Sequence, residues 1–372
     1  MKKVKLITLH CIKNYGSVLQ TYASQTIFEK LGMNVEVINY IRPDAIDNNL
    51  MKHRLNNSSF FSKNIITKIL GYFLLKNTIK KQISVFNKFL NDNIHLTKCY
   101  YSSNEIKKDN LKSDYFCVGS DHVWNCIWNY GIDLAYYLDF APNSCAKVSF
   151  ASSFGREKLD NKEIEANKKM LSKFKYITVR ENSGLKILNE MGIENCKQVL
   201  DPTLLLNMND WKIISSNEKK QEKYILVYQL NSNDKKFDSY VKNVSKKMGI
   251  KVIRVSNLGY QKYKYGDFVF CPTVNEFLNY FINADYIITD SFHATGFAIN
   301  FNKKFVDIFP GAFSTRLQSI LEMTGLTERK VVDFENYELL EKDIDYSKVN
   351  EIINKERDNT LNILKEMFDV VD

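Results

Sequence analysis

The residues best suited to chemistry in this 372-residue chain gather in five short polar clusters. They are Asn14-Tyr15-Gly16, Gly119-Ser120-Asp121, Ser152-Ser153-Phe154-Gly155, Arg180-Glu181 and Asp290-Ser291-Phe292-His293. Within them His293 is the side chain able to take and release a proton near neutrality, imidazole having an ordinary pKa of ~6.5. The plainer alternative is a histidine that only hydrogen-bonds the backbone at a helix mouth. Ser291 suits a helix N-cap, and the same geometry, free N–H groups at the positive end of a helix, holds an anion without a Gly-rich loop. Asp290 orients that turn. The planar guanidinium of Arg180, at the end of an apolar strand, can grip a carboxylate or phosphate through two parallel bonds, or pair with Glu181 beside it. Arg316 is a second candidate cation or lies on a solvated helix face. Asn14, Tyr15 and Gln20, with Ser120 and Asp121, offer the amide, carboxylate and aromatic groups that bind a sugar. Their alternative is a pair of tight turns, one needing Gly119 for its backbone, with Trp124 in the core.

An α/β alternation must position these groups. KVKLITLH, SVLQTYASQTIFEKLG and NVEVINY read as strand, helix and strand, a parallel βαβ unit, with Ser17 the expected N-cap and Gly32 the expected C′ residue. Further strands are expected at Asp114–Gly119, Lys147–Ser152, Tyr176–Val179 and Val199–Asp201. Helices are expected near Asn161–Phe174 and from Glu181–Asn182 to Met191. After Asp201-Pro202-Thr203 and a lysine-rich stretch at 215–223, a second series runs through strands Tyr224–Leu230, Lys251–Ser256, Phe268–Phe270, Asp285–Thr289 and Lys304–Phe309. Its helices are expected at Asp234–Met248, Val274–Asn283, from Phe292 and at Ser314–Met323, and the last 25 residues read as one helix. All five clusters fall at carboxyl ends of strands, where parallel α/β sheets place their sites, and they come from two domains, so an inter-domain cleft is expected.

Composition narrows the classes. Apolar residues at 44% and charged residues at 26% exclude a disordered chain. Neither G-x-G-x-x-G nor G-x-x-x-x-G-K occurs among the 14 glycines, which disfavours a P-loop enzyme. The seven cysteines are odd in number and contain no C-x-x-C pair, and His10, His53, His95 and His122 lack ligand spacing, so reduced thiols, no metal and a cytoplasmic location are expected. No apolar run is long enough to span a bilayer. The net charge is +9, and eight basic residues with no Asp or Glu lie between Asn48 and Asn91. A general nucleic-acid surface is therefore not expected. That segment, with Ile79, Ile83, Phe86 and Leu90 at helical spacing, reads either as an inserted helical pair packed on the N-terminal sheet with solvated lysines, or as a peripheral contact for an anionic membrane.

The clusters lie within longer strings: N-Y-G-S-V-L-Q-T-Y-A, C-V-G-S-D-H-V-W-N, Y-Y-L-D-F, K-V-S-F-A-S-S-F-G, I-T-V-R-E-N-S-G, V-L-D-P-T-L-L-L and T-D-S-F-H-A-T-G-F-A-I. In this order, from about Ile7 to Arg329, they resemble the polysaccharide pyruvyl transferase family. The resemblance implies an α/β fold of two facing Rossmann-like domains of the glycosyltransferase B type. The expected division is 1–205 on the acceptor side, with a helical basic insertion at 44–95, then 206–340 on the donor side and a C-terminal helix at 341–372. The implied reaction transfers a pyruvyl group from phosphoenolpyruvate, without a cofactor, to hydroxyls of a sugar in a surface polysaccharide or its lipid-linked precursor, leaving a ketal. His293 would then be catalytic. Arg180, Asp290, Ser291 and Arg316 would face the donor, and Asn14, Tyr15, Gln20, Ser120 and Asp121 the acceptor. The chain departs from the family's commoner forms at Ser291, where many members have Arg, at Ala294, usually Gly, and at His122, usually Gln. A nucleotide-sugar glycosyltransferase on the same scaffold and a non-catalytic glycan-binding module are the alternative functions.

Overall fold

Segments such as Tyr115–Val118 and Tyr224–Tyr228 are apolar at every position, the pattern of strands covered on both faces, and both are buried throughout. In the computed structural model, which describes residues 1–218, 222–230, 235–311 and 314–370, they are inner strands of two wholly parallel sheets. The first sheet contains β1 (Lys3–Ile7), β2 (Asn34–Tyr40), β3 (Leu96–Tyr100), β4 (Tyr115–Val118), β5 (Ala146–Ser152), β6 (Tyr176–Val179) and β7 (Cys196–Gln198), in the order β3-β2-β1-β4-β5-β6-β7. The second contains β8 (Tyr224–Tyr228), β9 (Lys251–Ser256), β10 (Asp267–Phe270), β11 (Tyr286–Thr289) and β12 (Lys304–Asp307), in the order β10-β9-β8-β11-β12. Both sheets reverse direction of growth beside their first strand, as a Rossmann-like domain does.

Local chemistry moves two expected boundaries. The first helix, α1 (Tyr15–Lys30), starts at Asn14 rather than Ser17, because the Asn14 side chain accepts a 2.8 Å bond from the Gly16 N–H and caps the helix first. Ser17 is thereby freed for another partner. Gly32 follows the helix with φ of +77°, as a C′ residue should. The expected strand at Val199–Asp201 ends earlier, at Gln198, since the Asp201 carboxylate turns the chain by accepting from the Thr203 N–H, and Pro202 opens a short helix. β3 was not expected; its sequence, LTKCY, carries Thr97 and Lys98 in a row and it lies at a sheet edge. The lysine-rich stretch 215–223 falls partly outside the described residues, as does Asp234, and the next helix is seen from Lys235.

The domains are joined by aromatic packing and by the C-terminal helix. Tyr15 stacks on Phe277 with ring centroids 4.0 Å apart and donates its hydroxyl to the Pro272 carbonyl at 2.6 Å. One apolar cluster includes residues of both sheets. The helix Tyr346–Met367 runs back to the N-terminal domain. There the Leu200 N–H donates to Thr360, and Phe368 packs edge-on against Phe28 and Tyr115. The basic insertion folds as two helices, α2 (Asp47–Asn56) and α3 (Ile65–Asn93). Ile79, Phe86, Phe89 and Leu90 of α3 are buried. Among the described residues no helix is long and apolar enough to cross a membrane, and none of the seven cysteines is paired.

Phe368 is fully buried and carries much of the contact between the returning helix and the N-terminal domain. Phe368→Ala should lower stability by about 3 kcal/mol, read as an earlier urea midpoint, and should loosen protection of the helix Tyr346–Met367 in hydrogen exchange. An unchanged midpoint would show that the helix docks without this ring.

Candidate active site

Where strand order reverses, connections leave in opposite directions and open a crevice at the carboxyl ends of the strands. Here the crevices at β1/β4 and β8/β11 open onto one another. A cleft of about 390 Å³ is lined by Asn14 and Ser17 after β1, Asp121 and His122 after β4, Leu230 after β8, Ser291, Phe292 and His293 after β11, and Arg316. Its outer wall comes from the insertion, through Leu50, His53 and Arg54 of α2.

His293 stands at the start of the helix Phe292–Asn300, with Nε2 buried and without a hydrogen-bond partner among the described residues. Its ring lies directly against Gly16 of the opposite domain. A Cβ at Gly16 would fall 2.1 Å from Nδ1, so a hydrogen is all that position can carry. Burial pulls the imidazole down to about 4; Asp201 and Asp121 oppose that shift, while Arg180 and Arg316 add to it. At neutral pH the group is uncharged and can accept a proton.

Behind His293 lies a buried charge cluster. Arg180 donates to Asp201 at 2.9 Å and to Asp121 at 3.3 Å, and its Nε is 3.6 Å from Glu181. Its side chain is inaccessible, and its face lies 4.9 Å from the Phe292 ring. Burial alone would raise the Asp121 carboxyl; Arg180, with His122, His293 and Arg316, instead holds it below the usual range. Ser17 also donates to Asp121 at 2.8 Å. Asp121 has φ of +80°, strain that these bonds hold in place. Arg316 differs from Arg180. It lines the cleft with its guanidinium 5.5 Å from the Phe292 ring, has a buried Nε with no partner, and makes no ion pair among the described residues. Burial, and then Arg180, lower it to about 10, still cationic at neutrality.

The structure therefore brings together Asn14, Asp121, Ser291, His293 and Arg316. It does not bring the other expected residues to the cleft surface. Tyr15 is spent in the domain contact. Gln20 is fully buried and donates to Thr8, Thr21 and the Ser17 carbonyl. Ser120 is buried and donates to Asp201. Asp290 is buried and accepts from the Leu230 N–H at 2.6 Å, which ties the end of β11 to the end of β8. Arg180 holds carboxylates rather than facing the cleft. Ser291 sits at the N-cap position, yet its hydroxyl makes no capping bond. Trp124 is in the core and donates to the Tyr136 carbonyl.

Sequence reasoning missed His122. It lines the cleft, stacks on Trp128 at 6.3 Å, leaves Nδ1 buried and unpartnered, and crowds Gly155, where a Cβ would lie 2.2 Å from Nδ1. Burial and Arg316 push its pKa well down. Its place beside Asp121 at a strand end was the available signal, and absent metal spacing was the wrong criterion. Also missed were Phe292, whose ring has two guanidiniums within about 6 Å, and Arg54, a cleft arginine that donates to Gln82 and meets no carboxylate among the described residues. No group of three or more His, Cys, Asp or Glu among the described residues is placed to hold a metal.

Removing the Arg180 charge strands three buried carboxylates. Arg180→Met should cost about 3 kcal/mol in urea unfolding, with the stability maximum moving to lower pH as the carboxylates protonate. A loss below about 1 kcal/mol would mean that another cation compensates them.

Comparisons place this geometry among known folds. Over its whole length the chain resembles a UDP-GlcNAc 2-epimerase of Methanocaldococcus jannaschii, with a TM-score of 0.54 at 14% identity, covering 98% of this chain and 100% of that one. A putative UDP-N-acetylglucosamine 2-epimerase of Listeria monocytogenes gives 0.56 at 10% identity, with 100% and 97% covered. Arabidopsis thaliana UGT89C1, complexed with UDP-L-rhamnose, gives 0.52 at 8% identity, with 99% and 98% covered. These likenesses establish the fold, two facing Rossmann-like domains of the glycosyltransferase B type. No curated protein matches the sequence. Residues 14–308 match the family described as polysaccharide pyruvyl transferase. That span runs from the helix cap at Asn14, through Asp121, Arg180 and His293, to the end of the second sheet, and the chain belongs to the polysaccharide pyruvyl transferase family.

Proposed function

We propose that this chain transfers the pyruvyl group of phosphoenolpyruvate to two hydroxyls of one sugar residue, in a cell-surface polysaccharide or its lipid-linked precursor, releasing phosphate and leaving a ketal. The observation that carries this reading is His293: a neutral imidazole whose Nε2 has no hydrogen-bond partner among the described residues, seated at a helix mouth beside Arg316, a cation with no ion pair among them.

The proton balance suits a neutral base. The enol carbon C3 gains one proton as C2 accepts an oxygen, and the first sugar hydroxyl loses one in the same event. His293 takes that proton and passes it to C3, becoming cationic only during the transfer. Phosphate leaves from C2, and the proton of the second hydroxyl leaves with it as the ring closes. Arg316 and the first N–H groups of the helix Phe292–Asn300 hold the donor's anionic groups, and an anion there supports the transient imidazolium. Asn14 and Asp121 face the sugar, with the Asp121 carboxylate kept ionised by Arg180. Gly16 sets the position of the imidazole between the two domains.

His293→Ala should fold normally and lose phosphate release by at least about 100-fold, the scale of general acid–base catalysis. Near-parental turnover would remove His293 from the chemistry. Since the free enzyme holds His293 neutral, kcat/KM should be flat between about pH 6 and 8 and fall only as pH drops toward 4. A rate that rises on acidification through pH 6.5 would overturn the neutral-base assignment. Arg316→Lys should raise the KM for phosphoenolpyruvate about tenfold with a smaller change in kcat, because a point charge replaces a planar fork. Thermal shifts decide the donor class: phosphoenolpyruvate should raise the melting temperature and UDP-sugars should not, and the reverse result would favour a glycosyltransferase.

A further inference from the structure

Helix α3 has a buried inner side along its length and, over its first half, a second, apolar face opposite to it. The inner side, through Gly71, Ile79, Gln82 and Phe86, is buried. Gly71 presses so closely on α2 and the segment after it that a Cβ would fall 2.5 Å from Leu55 of α2 and 2.8 Å from Phe61. The outer side should be polar if it only met water. It instead presents Ile66, Ile69, Leu70 and Phe73, at the i, i+3, i+4, i+7 spacing of one helical face. Their exposures run from 47% to 74%, and Leu74, next to Phe73 on the helix, is exposed as well. Exposed Lys76 and Lys80, on the same helix, border it, and no carboxylate occurs between Asn48 and Asn91. Lys81 and Lys88 do not belong to this border, since Lys81 donates to the Phe270 carbonyl and Lys88 pairs with Asp92.

We propose that this outer face of α3 is a docking surface for an anionic lipid membrane, on which the protein lies without spanning the bilayer. An apolar stripe edged by cations is the pattern of an interfacial helix: the rings and aliphatic chains enter the acyl boundary while the lysines stay at the headgroups. Charge selects the occupant. A second copy docking through the same face would set lysines against lysines with no carboxylate to offset them, whereas anionic headgroups complement them. The surface is coupled to the cleft, because α2, on which Gly71 packs, also contributes His53 and Arg54 to the cleft wall. Docking therefore brings the cleft close to the headgroup layer, where a lipid-borne substrate presents its polar end. The docking itself does not depend on the proposed pyruvyl chemistry.

Co-sedimentation of the full chain with vesicles tests it. The protein should bind phosphatidylcholine vesicles containing phosphatidylglycerol at low salt, bind pure phosphatidylcholine far more weakly, and lose binding as salt is raised. Ile66→Asp with Phe73→Asp should reduce binding at least about tenfold, and each of Lys76→Gln and Lys80→Gln about fivefold. These positions are exposed, so the variants should keep the parental melting temperature, and phosphate release with a water-borne acceptor should not change. Absence of binding to anionic vesicles at low salt would overturn the proposal, as would binding that the aspartate pair leaves intact. A concentration-dependent dimer abolished by the aspartate pair, with no vesicle binding, would overturn it in favour of a second copy.

Discussion

The buried guanidinium of Arg180 is the interaction on which the site depends. It gathers Asp201, Asp121 and Glu181, which follow three different strands, and its face supports Phe292 of the second domain. Without a cation those carboxylates would take up protons or drive the strand ends apart. With it, Asp121 stays ionised at the cleft, in a backbone conformation that few non-glycine residues adopt. The charge that a sequence reader would assign to substrate is thus committed to the protein, whereas Arg316, near the same aromatic ring, makes no ion pair among the described residues and lines the cleft.

Domain closure and catalytic geometry are one problem in this molecule. His293 comes from the second domain and packs on Gly16 of the first, so the imidazole is placed only when the two domains meet. Tyr15, the next residue, stacks on Phe277 across the same boundary, and the C-terminal helix returns to lock the pair. The first turn of α1 therefore serves the cap, the domain contact and the seat of the imidazole within three residues. This explains why Tyr15 and Gln20, polar and beside a strand end, turn inward. Burial of that turn requires its polar atoms to find partners within the protein.

The insertion adds a property that the two sheets do not need. The second half of α3 is an ordinary amphipathic element, with Ile79, Phe86 and Leu90 inward. The first half keeps an inner seam against α2 and adds an outer apolar stripe with no protein partner among the described residues. Because α2 also walls the cleft, whatever covers that stripe is held in a defined relation to the reacting groups.

By itself the sequence determined the elements and the address of the site. Unbroken apolar strands such as YFCV and YILVY cannot face water, and polar clusters after them fall at the sheet's carboxyl edge whatever the rest of the chain does. His293, Ser291, Asn14 and Asp121 were legible for that reason, as were the inserted helices. What the tertiary structure decided was which polar group faces solvent. Arg180 and Arg316 are the same residue type at equally plausible positions, and only the approach of Asp121, Asp201 and Glu181 from separate strands separates a structural cation from an available one. His122 and the outer stripe of α3 were hidden for the same reason, since a sequence states which residues lie on a face and the packing alone determines what that face meets.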